Sequence, residues 1–377
     1  MLKEHVILVL NMGSTSLKLS TINWDATMEL TIQEIGWTDS IGKEAALRRL
    51  GEALKAFDHQ HIAAVGHRIV HGGPHFTRPV LIDAAIEDDL HRLAVLAPLH
   101  NPRALLGVDT ARLLFPNIPH VAAFDTMFHA SLAPEAYLYA VPYEWYTNWG
   151  IRRFGFHGLS YQGATRRVAE ILGLPVTSLR LVICHLGGGC SVAAIHNGRS
   201  VETTMGYTPL EGVPMATRSG SIDPGIILAL LRRGLLSVEE LEDELEQRSG
   251  IAGVAGGTGD MQQLLQAVRA GDERARLARD IFCHRVSMAI GAMAVAARGL
   301  DVLVWTGGIG EHAAGIRDLI CRELAWMGIA LDSVANELME GDRIISPKGS
   351  TPAVVVLRAR EDLEVAQAVR QVLDEEC

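Results

Sequence analysis

The sequence predicts an α/β protein built from two copies of one domain, and three observations carry that prediction. Helical and strand-like hydrophobic periods alternate along the chain, as layered α/β folds require. At 377 residues the chain exceeds one ordinary core and fits two domains. Finally, "VLNMGSTSLKLSTIN" from Val9 superimposes without a gap on "ICHLGGGCSVAAIHN" from Ile183, placing Asn11 on His185, Gly13 on Gly187 and Lys18 on Val192. The identities are few, but each copy heads a half of the chain with a strand, a glycine turn and a returning strand. Such a duplication sets the two turns facing each other across a cleft, where small residues leave backbone N–H groups accessible to phosphates.

The elements follow in order. Val6 to Trp24 reads as two strands joined by the turn Met12–Ser16, the first continuously apolar and the second alternating. Amphipathic helices are predicted at "KEAALRRLGEALKAF", "IEDDLHRLAVL" and "NPRALLGVDTARLLF", the last with Pro102 in its first turn. "HVAAFD" is a short strand ending at Asp125, and the aromatic-rich "AVPYEWYTNWGIRRFGFHG" reads as a loop. The domain boundary is therefore set near residue 150.

The second half opens its sheet at "LRLVICHLGGGCSVAAIHNGRSVETT", with Asn197–Gly198 as a hairpin signal. Ser237 and Glu240 suit a capping box for an acidic helix through Gln247. Asp272 to Arg298 reads as one long, mostly buried helix. "LDVLVWTGGIGEH" is a strand running into a glycine turn and a helix, "PAVVVL" the last strand, and "REDLEVAQAVRQVLDEE" a terminal helix.

Composition narrows the function. About half of the residues are hydrophobic and a fifth charged, the profile of a soluble globular protein. A net charge of −10 argues against nucleic acid as a partner, because such binding needs basic surface to release counterions. It leaves open an anionic small substrate held by a local cluster of arginines. Five scattered cysteines with no CxxC pair argue against a zinc site or disulfide framework and for a reducing cytoplasm. The longest uncharged apolar stretch, Met288 to Ala297, is about half of what a membrane-spanning helix needs. The expectation is a cytoplasmic protein with no membrane contact.

Neither GxxxxGK[ST] nor GxGxxG occurs, so the P-loop and the Rossmann fingerprint are unsupported. The glycine clusters "HLGGGC", "GVAGGTGD" and "WTGGIGEH" all lie in the second half, two of them directly after apolar strands. Together they favour nucleotide binding, although any one alone is an ordinary turn. "GHRIVHGG" sets Arg68 between His67 and His71; an HxxxH metal pair is unsupported there, since no third ligand is near in sequence. "RRFGFHGLS" places His157 beside glycines, and "MATRSGSIDPG" places Arg218 in a glycine- and proline-bounded loop. Several arginines and histidines beside glycine turns suit an anion site, because guanidinium forks match carboxylate and phosphoryl oxygens.

Taken in order, "NMGSTSLK", "GHRIVHGG", "LAPLHNP", "FDTMFH", "RRFGFHGLS", "HLGGGCSV", "TTMGYTPLEGVPMATRSGSIDPG", "TGGIGE" and "AREDLEVA" resemble the signature blocks of the acetate kinase family across nearly the whole chain. That family belongs to the superfamily of sugar kinases, actin and heat-shock chaperones. The resemblance implies two duplicated actin-like (ribonuclease H-like) domains with a central active-site cleft. The first covers residues 1–150, joined by the terminal helix 358–377, and the second, 151–357, binds the nucleotide and dimerises. It further implies magnesium-dependent, reversible phosphoryl transfer from ATP to acetate, giving acetyl phosphate and ADP, in a homodimer.

By resemblance, Arg68 and Arg218 hold the carboxylate and the transferring phosphoryl group, and Arg218 and His157 stabilise the transition state. Asp125 is the family's essential acid and His100 a further histidine near the reacting groups. Asn11 and Glu361 match the magnesium positions, where manganese can substitute, and Lys18 the phosphate-contacting lysine. The nucleotide is expected at His185, Leu186, Gly187, Gly188 and Gly189, at Asp260, Met261 and Gln262, and at Gly308, Ile309, Gly310, Glu311 and His312. Val70, Leu99, Phe156 and Pro209 line the acyl pocket, whose valine matches the acetate-type version.

The chain departs from the family pattern at Gly188, where asparagine is usual, and at Gln262, His312, Tyr161 and Ser221. Three of these fall on nucleotide-contacting turns, which points to altered nucleotide affinity or donor choice. A propionate or butyrate kinase of the same family and a catalytically lapsed nucleotide-binding regulator remain as alternatives.

Overall fold

The computed structural model describes residues 5–12, 16–36, 43–54, 61–97, 100–338 and 341–376. The chain divides into two compact units. The first comprises Met1–Ala130, Phe156–Gly163 and Arg360–Cys377; the second comprises Ser131–Gly155 and Ala164–Ala359. The sequence boundary was drawn near residue 150, whereas the chain passes between units after Ala130, Gly155, Gly163 and Ala359.

The first unit holds β1 (Val6–Met12), β2 (Ser16–Asn23), β3 (Glu29–Gly36), β4 (Ile62–Ile69), β5 (Val80–Leu81) and β6 (His120–Phe124). The second holds β7 (Arg180–Leu186), β8 (Cys190–His196), β9 (Arg199–Thr203), β10 (Val302–Thr306), β11 (Arg343–Ile344) and β12 (Ala353–Val356). The sheet orders are β3-β2-β1-β4-β6-β5 and β11-β12-β10-β7-β8-β9. Read from opposite edges, these are one plan. An antiparallel meander of three strands is followed by two strands parallel to its first, then a short antiparallel edge strand. The duplication inferred from two hairpins thus extends to all six strands of each sheet.

The gapless superposition needs one correction. In the first hairpin Asn11 pairs with Lys18, whereas in the second His185 pairs with Ser191. The second turn is one residue shorter, so the counterpart of Lys18 is Ser191 rather than Val192. A slip of one residue exchanges a strand's two faces, so the gapless alignment would match β2 residues with β8 residues of the opposite face.

Strands buried on both sides read as continuous apolar runs, and β1 and β10 do so. The terminal helix Glu361–Glu376 packs on β1, β4 and β6 of the first sheet. Its buried Val365, Val369 and Val372 recur at helical spacing, each contributing roughly 1.5–3 kcal/mol of burial. This contact is what returns Glu361 to the first unit.

Several local expectations hold and others change. Asn197 and Gly198 have φ of 54° and 73°, the paired left-handed turn that joins β8 to β9. Ser237 and Glu240 make a reciprocal capping box. The stretch read as an aromatic loop contains the helix Glu144–Trp149. Glu273–Ala296 buries only one face, since Leu277, Met288 and Val295 are exposed. The four described cysteines are buried free thiols, and no helix among the described residues is long and apolar enough to cross a membrane.

Candidate active site

In the first unit, the parallel register sets Asn11 of β1 beside Arg68 of β4, with Asp125 one residue past the end of β6. Carboxyl ends of parallel strands are where α/β sheets collect ligand-binding side chains. Here Arg68 is the hub. Its Nε donates to Asp125 Oδ1 at 2.9 Å and its Nη2 to Oδ2 at 2.7 Å, a fork-on-fork pair. Its Nη1 donates to Asn11 Oδ1 at 2.9 Å and lies 2.6 Å from Glu361 Oε2. Burial opposes the charge on Arg68, but Asp125 and then Glu361 outweigh it and raise its pKa, so this guanidinium stays cationic.

Asp362, unremarked in the sequence, organises the next layer. Its Oδ1 accepts from Asn11 Nδ2 at 2.7 Å; its Oδ2 accepts from Ser20 Oγ and meets Lys18 Nζ, each at 2.6 Å. Lys18 and Ser20 share a face of β2, being two residues apart, so one carboxylate can hold both. Burial raises the Asp362 pKa, but Lys18, then Ser20 and Asn11, more than offset it, leaving the group below its ordinary range. Burial likewise lowers the Lys18 pKa, and Asp362 and Glu29, whose Oε1 lies 3.2 Å away, reverse that.

Glu361 behaves oppositely. Burial pushes its pKa up, Asp125 and Asp362 add to the rise, and Arg68 and Asn11 only partly counter it. Asn11 Oδ1 and Glu361 Oε2 both approach the same nitrogen, Arg68 Nη1. Hard oxygen donors of this kind suit magnesium, which takes few protein ligands and keeps several waters. The donor set fits that metal, and the surrounding carboxylates (Asp125, Glu361, Asp362, Glu29) outnumber the cations Arg68 and Lys18.

His157 sits at φ 58°, a left-handed conformation uncommon for a residue with a side chain. The next residue explains why the chain is held there. Gly158 N donates to the Asp125 carbonyl at 2.8 Å, and a Cβ on Gly158 would lie 2.2 Å from that oxygen. Only glycine allows this approach, which seats His157 directly after the Asp125 strand end. His100 is half-buried at the N-cap of the helix Asn101–Leu114. Phe156 is buried, its ring edge-on to His71 at 5.4 Å, and Val70 follows the last residue of β4. Leu99 lies outside the described residues.

The histidines of "GHRIVHGG" are structural. His67 Nε2 and His120 Nδ1 are 2.9 Å apart, and His120 Nε2 meets the Phe115 carbonyl at 3.0 Å, fixing His120 as donor there and acceptor from His67. Burial, with His120 and Arg112 nearby, holds the His67 pKa well below its usual value. His71 Nδ1 accepts from Gly73 N at 2.9 Å.

The second unit offers backbone where the first offers charge. Gly187 to Gly189 form the turn between β7 and β8, closed by Gly187 N to Gly189 O at 3.0 Å. β10 lies parallel to β7, with Thr306 opposite His185, and leads into the helix Gly307–His312. A Cβ on Gly187 would lie 3.9 Å from Gly308 N, so two of the three glycine clusters are neighbours. Gly188 and Gly308 are exposed, with nothing within 4 Å of an added Cβ. Asp260 caps the helix Met261–Arg269 by accepting from Gln263 N at 2.8 Å, with Met261 buried and Gln262 exposed. Glu311 Oε1 accepts from Ala359 N at 2.9 Å. Arg218 Nε lies 2.9 Å from Glu246 Oε2, a partner not anticipated, and the Arg218 loop reaches the glycine turn through Ala216 N to Gly188 O at 3.3 Å. Pro209 is buried in this unit.

Asn11, Lys18, Arg68, Asp125 and Glu361 therefore converge in one network of the first unit. Asp362 and Glu246 were missed. Asp362, next to Glu361 at the start of the last helix, reads as ordinary N-terminal charge, and Glu246 as a solvated residue in an acidic helix.

The acetokinase family model matches residues 6–367. The chain is 43% identical, over an alignment 403 positions long, to an acetate kinase of Synechococcus sp. (strain JA-2-3B'a(2-13)), covering 98% of this chain and 100% of that protein. It also resembles the crystal structure of Porphyromonas gingivalis acetate kinase, with a TM-score of 0.89 at 33% identity over 98% of this chain and 100% of that one. A propionate kinase from Francisella tularensis gives a TM-score of 0.89 at 35% identity over 97% and 98% of the two chains. With a model match over nearly its whole length and relatives covered end to end, the chain belongs to the acetokinase family.

Proposed function

We propose that the chain is an acetate kinase: it transfers the terminal phosphoryl group of ATP to acetate, giving acetyl phosphate and ADP, reversibly. The observation that carries the reading is the Arg68 network, in which a largely buried guanidinium, two oxygens on its Nη1 and a lysine are joined in one set through Asn11 and Asp362.

A carboxylic acid with a pKa near that of a Glu side chain (about 4.3) is already ionised at neutral pH, so its attack needs no general base. What it needs is neutralised charge and an in-line approach of two anions. Arg68 and Arg218 hold the carboxylate and the transferring group, and His157 joins Arg218 on the transition-state charge. Asp125 grips both sides of the Arg68 fork and so acts as its orienting group rather than as a proton acceptor. Asn11 and Glu361 would hold magnesium, which would supply positive charge to offset the phosphates, and Lys18 contacts a phosphate. Glycines 187–189 and the turns at 260–262 and 308–312 receive the nucleotide, with Gly188, Gln262 and His312 altering donor affinity.

Val70, Leu99, Phe156 and Pro209 match the family's acyl-pocket positions, and four apolar side chains suit a short acid such as acetate. Discrimination per methylene is about 1–3 kcal/mol, so propionate is tolerated and butyrate poor. The exposed apolar residues Ile226, Leu228, Met288 and Val295 of the second unit support self-association as a homodimer.

The reading is tested by measuring hydroxamate-trapped acyl phosphate for acetate, propionate and butyrate against several nucleoside triphosphates, with and without magnesium. Acetate is expected to give the highest kcat/KM and magnesium to be required. A propionate preference overturns the pocket assignment, and no acyl phosphate from any acid overturns the activity.

Asp362→Asn tests the inner network. Both Asp362 oxygens accept hydrogen bonds, so an amide must turn its NH2 toward a donor, whichever way it is placed. Turnover should fall by about 10-fold to 100-fold, and stability by about 1–3 kcal/mol for the lost and unmet bonds. The stability difference should narrow on acidification: a depressed carboxylate pKa stabilises above the unfolded value and loses that effect as pH falls through the folded one. Melting curves of both proteins from neutral to acidic pH check this.

Gly188→Asn tests the donor turn. The added side chain meets open space at Gly188, so folding should be unaffected. One recovered hydrogen bond, about 0.5–1.5 kcal/mol, should lower the donor KM by roughly 2-fold to 10-fold or change donor preference. An unchanged donor KM and preference would remove this glycine from the nucleotide site.

A further inference from the structure

We infer that Glu246 is a positioning residue for Arg218, fixing the guanidinium from the end of the helix Val238–Gln247. The inference rests on the reading above in which Arg218 serves the reacting anions. Residues 215–219 are bracketed by the end of this helix and the turn after it. Ser219 N donates to the Leu245 carbonyl at 3.0 Å, and Thr217 Oγ1 to the Glu246 carbonyl at 2.8 Å. Ser249 N donates to the Thr217 carbonyl at 2.8 Å, and Ile251 N to that of Met215 at 2.9 Å.

The approach is close enough to dictate residue type. At Gly250, φ is +60° and an added Cβ would lie 2.3 Å from the Met215 carbonyl oxygen and 2.6 Å from that of Arg218. Only glycine lets the two segments meet this way. The backbone bearing Arg218 is therefore held on both sides of the arginine.

A fixed backbone does not fix a long side chain, which keeps its rotamer freedom until something engages the head group. Glu246 does so: its Oε2 lies 2.9 Å from Arg218 Nε, with the side chains 14% and 16% exposed. Arg218 Nη1 rests 3.9 Å from Met215 Sδ. The same turn of helix thus supplies the backbone acceptors for the loop and the carboxylate for the guanidinium. Because the loop also bonds the Gly188 turn through Ala216, Arg218 is set relative to that turn before substrates arrive. Glu246 touches no reacting atom in this account; it acts through Arg218.

Acetyl phosphate formation by full-length Glu246→Ala, Glu246→Gln and Arg218→Ala enzymes, with melting temperatures, tests the inference. Glu246→Ala is expected to lower kcat by about 10-fold to 100-fold, the scale of a misplaced catalytic group, with the donor KM unchanged. Glu246→Gln, whose amide oxygen still accepts from Nε, should recover most of that loss. A folded Glu246→Ala enzyme with wild-type or higher kcat overturns the inference, as does a Glu246→Gln enzyme as slow as Glu246→Ala. Wild-type turnover by Arg218→Ala would instead remove the role of Arg218 itself, and with it the role of Glu246.

Discussion

A guanidinium largely withdrawn from water among carboxylates must have every partner in place, and Arg68, its side chain 13% exposed, imposes that requirement on the first unit. Taking its charge out of water costs several kcal/mol, which is recovered only if geometry and hydrogen bonding are close to ideal. Asp125 supplies the fork-on-fork pair, and Asn11 and Glu361 complete the coordination of Nη1. With Arg68, these residues come from β1, β4, the position just after β6 and the start of the terminal helix, so the network ties the ends of those elements together. Gly158, pressed on the Asp125 carbonyl, extends the constraint to His157.

The duplication gives this arrangement a counterpart with different chemistry. Asn11 stands opposite Arg68 across β1 and β4, and His185 opposite Thr306 across β7 and β10. The same strand ends carry a charged network in one copy and glycine turns in the other. A charge network serves cations and transferring groups, whereas exposed backbone at glycines serves phosphates. On the proposed function, one scaffold serves two parts of a phosphoryl transfer, with the short turn at Gly187 to Gly189 marking the divergence.

Much of this was legible in the sequence because it rests on local pattern. Apolar runs gave β1 and β10, Asn197–Gly198 gave its hairpin, and the motif blocks gave Arg68, Asp125 and Glu361. β3 and β4 escaped notice: "ELTIQEIG" is a polar edge strand, and "IAAVGHRI" has no turn residue to mark its start. The register slip behind Ser191 depends on turn geometry, which glycines leave open. Asp362 and Glu246 could not be singled out because their partners lie far along the chain, Asp362 meeting Asn11, Lys18 and Ser20 and Glu246 meeting Arg218. A carboxylate at a helix end looks the same whether it meets water or a lysine.

On the proposed function, the bidentate fork of Arg68, and not merely its charge, organises the reacting groups. Arg68→Lys separates the two, since lysine keeps a cation among the carboxylates but cannot grip Asp125 with two parallel bonds. The decisive measurement is kcat/KM for acetate in this variant, taken at a temperature where its melting curve shows it folded. A fall of about 100-fold or more is the predicted result. Near-wild-type turnover by the folded lysine enzyme would contradict it.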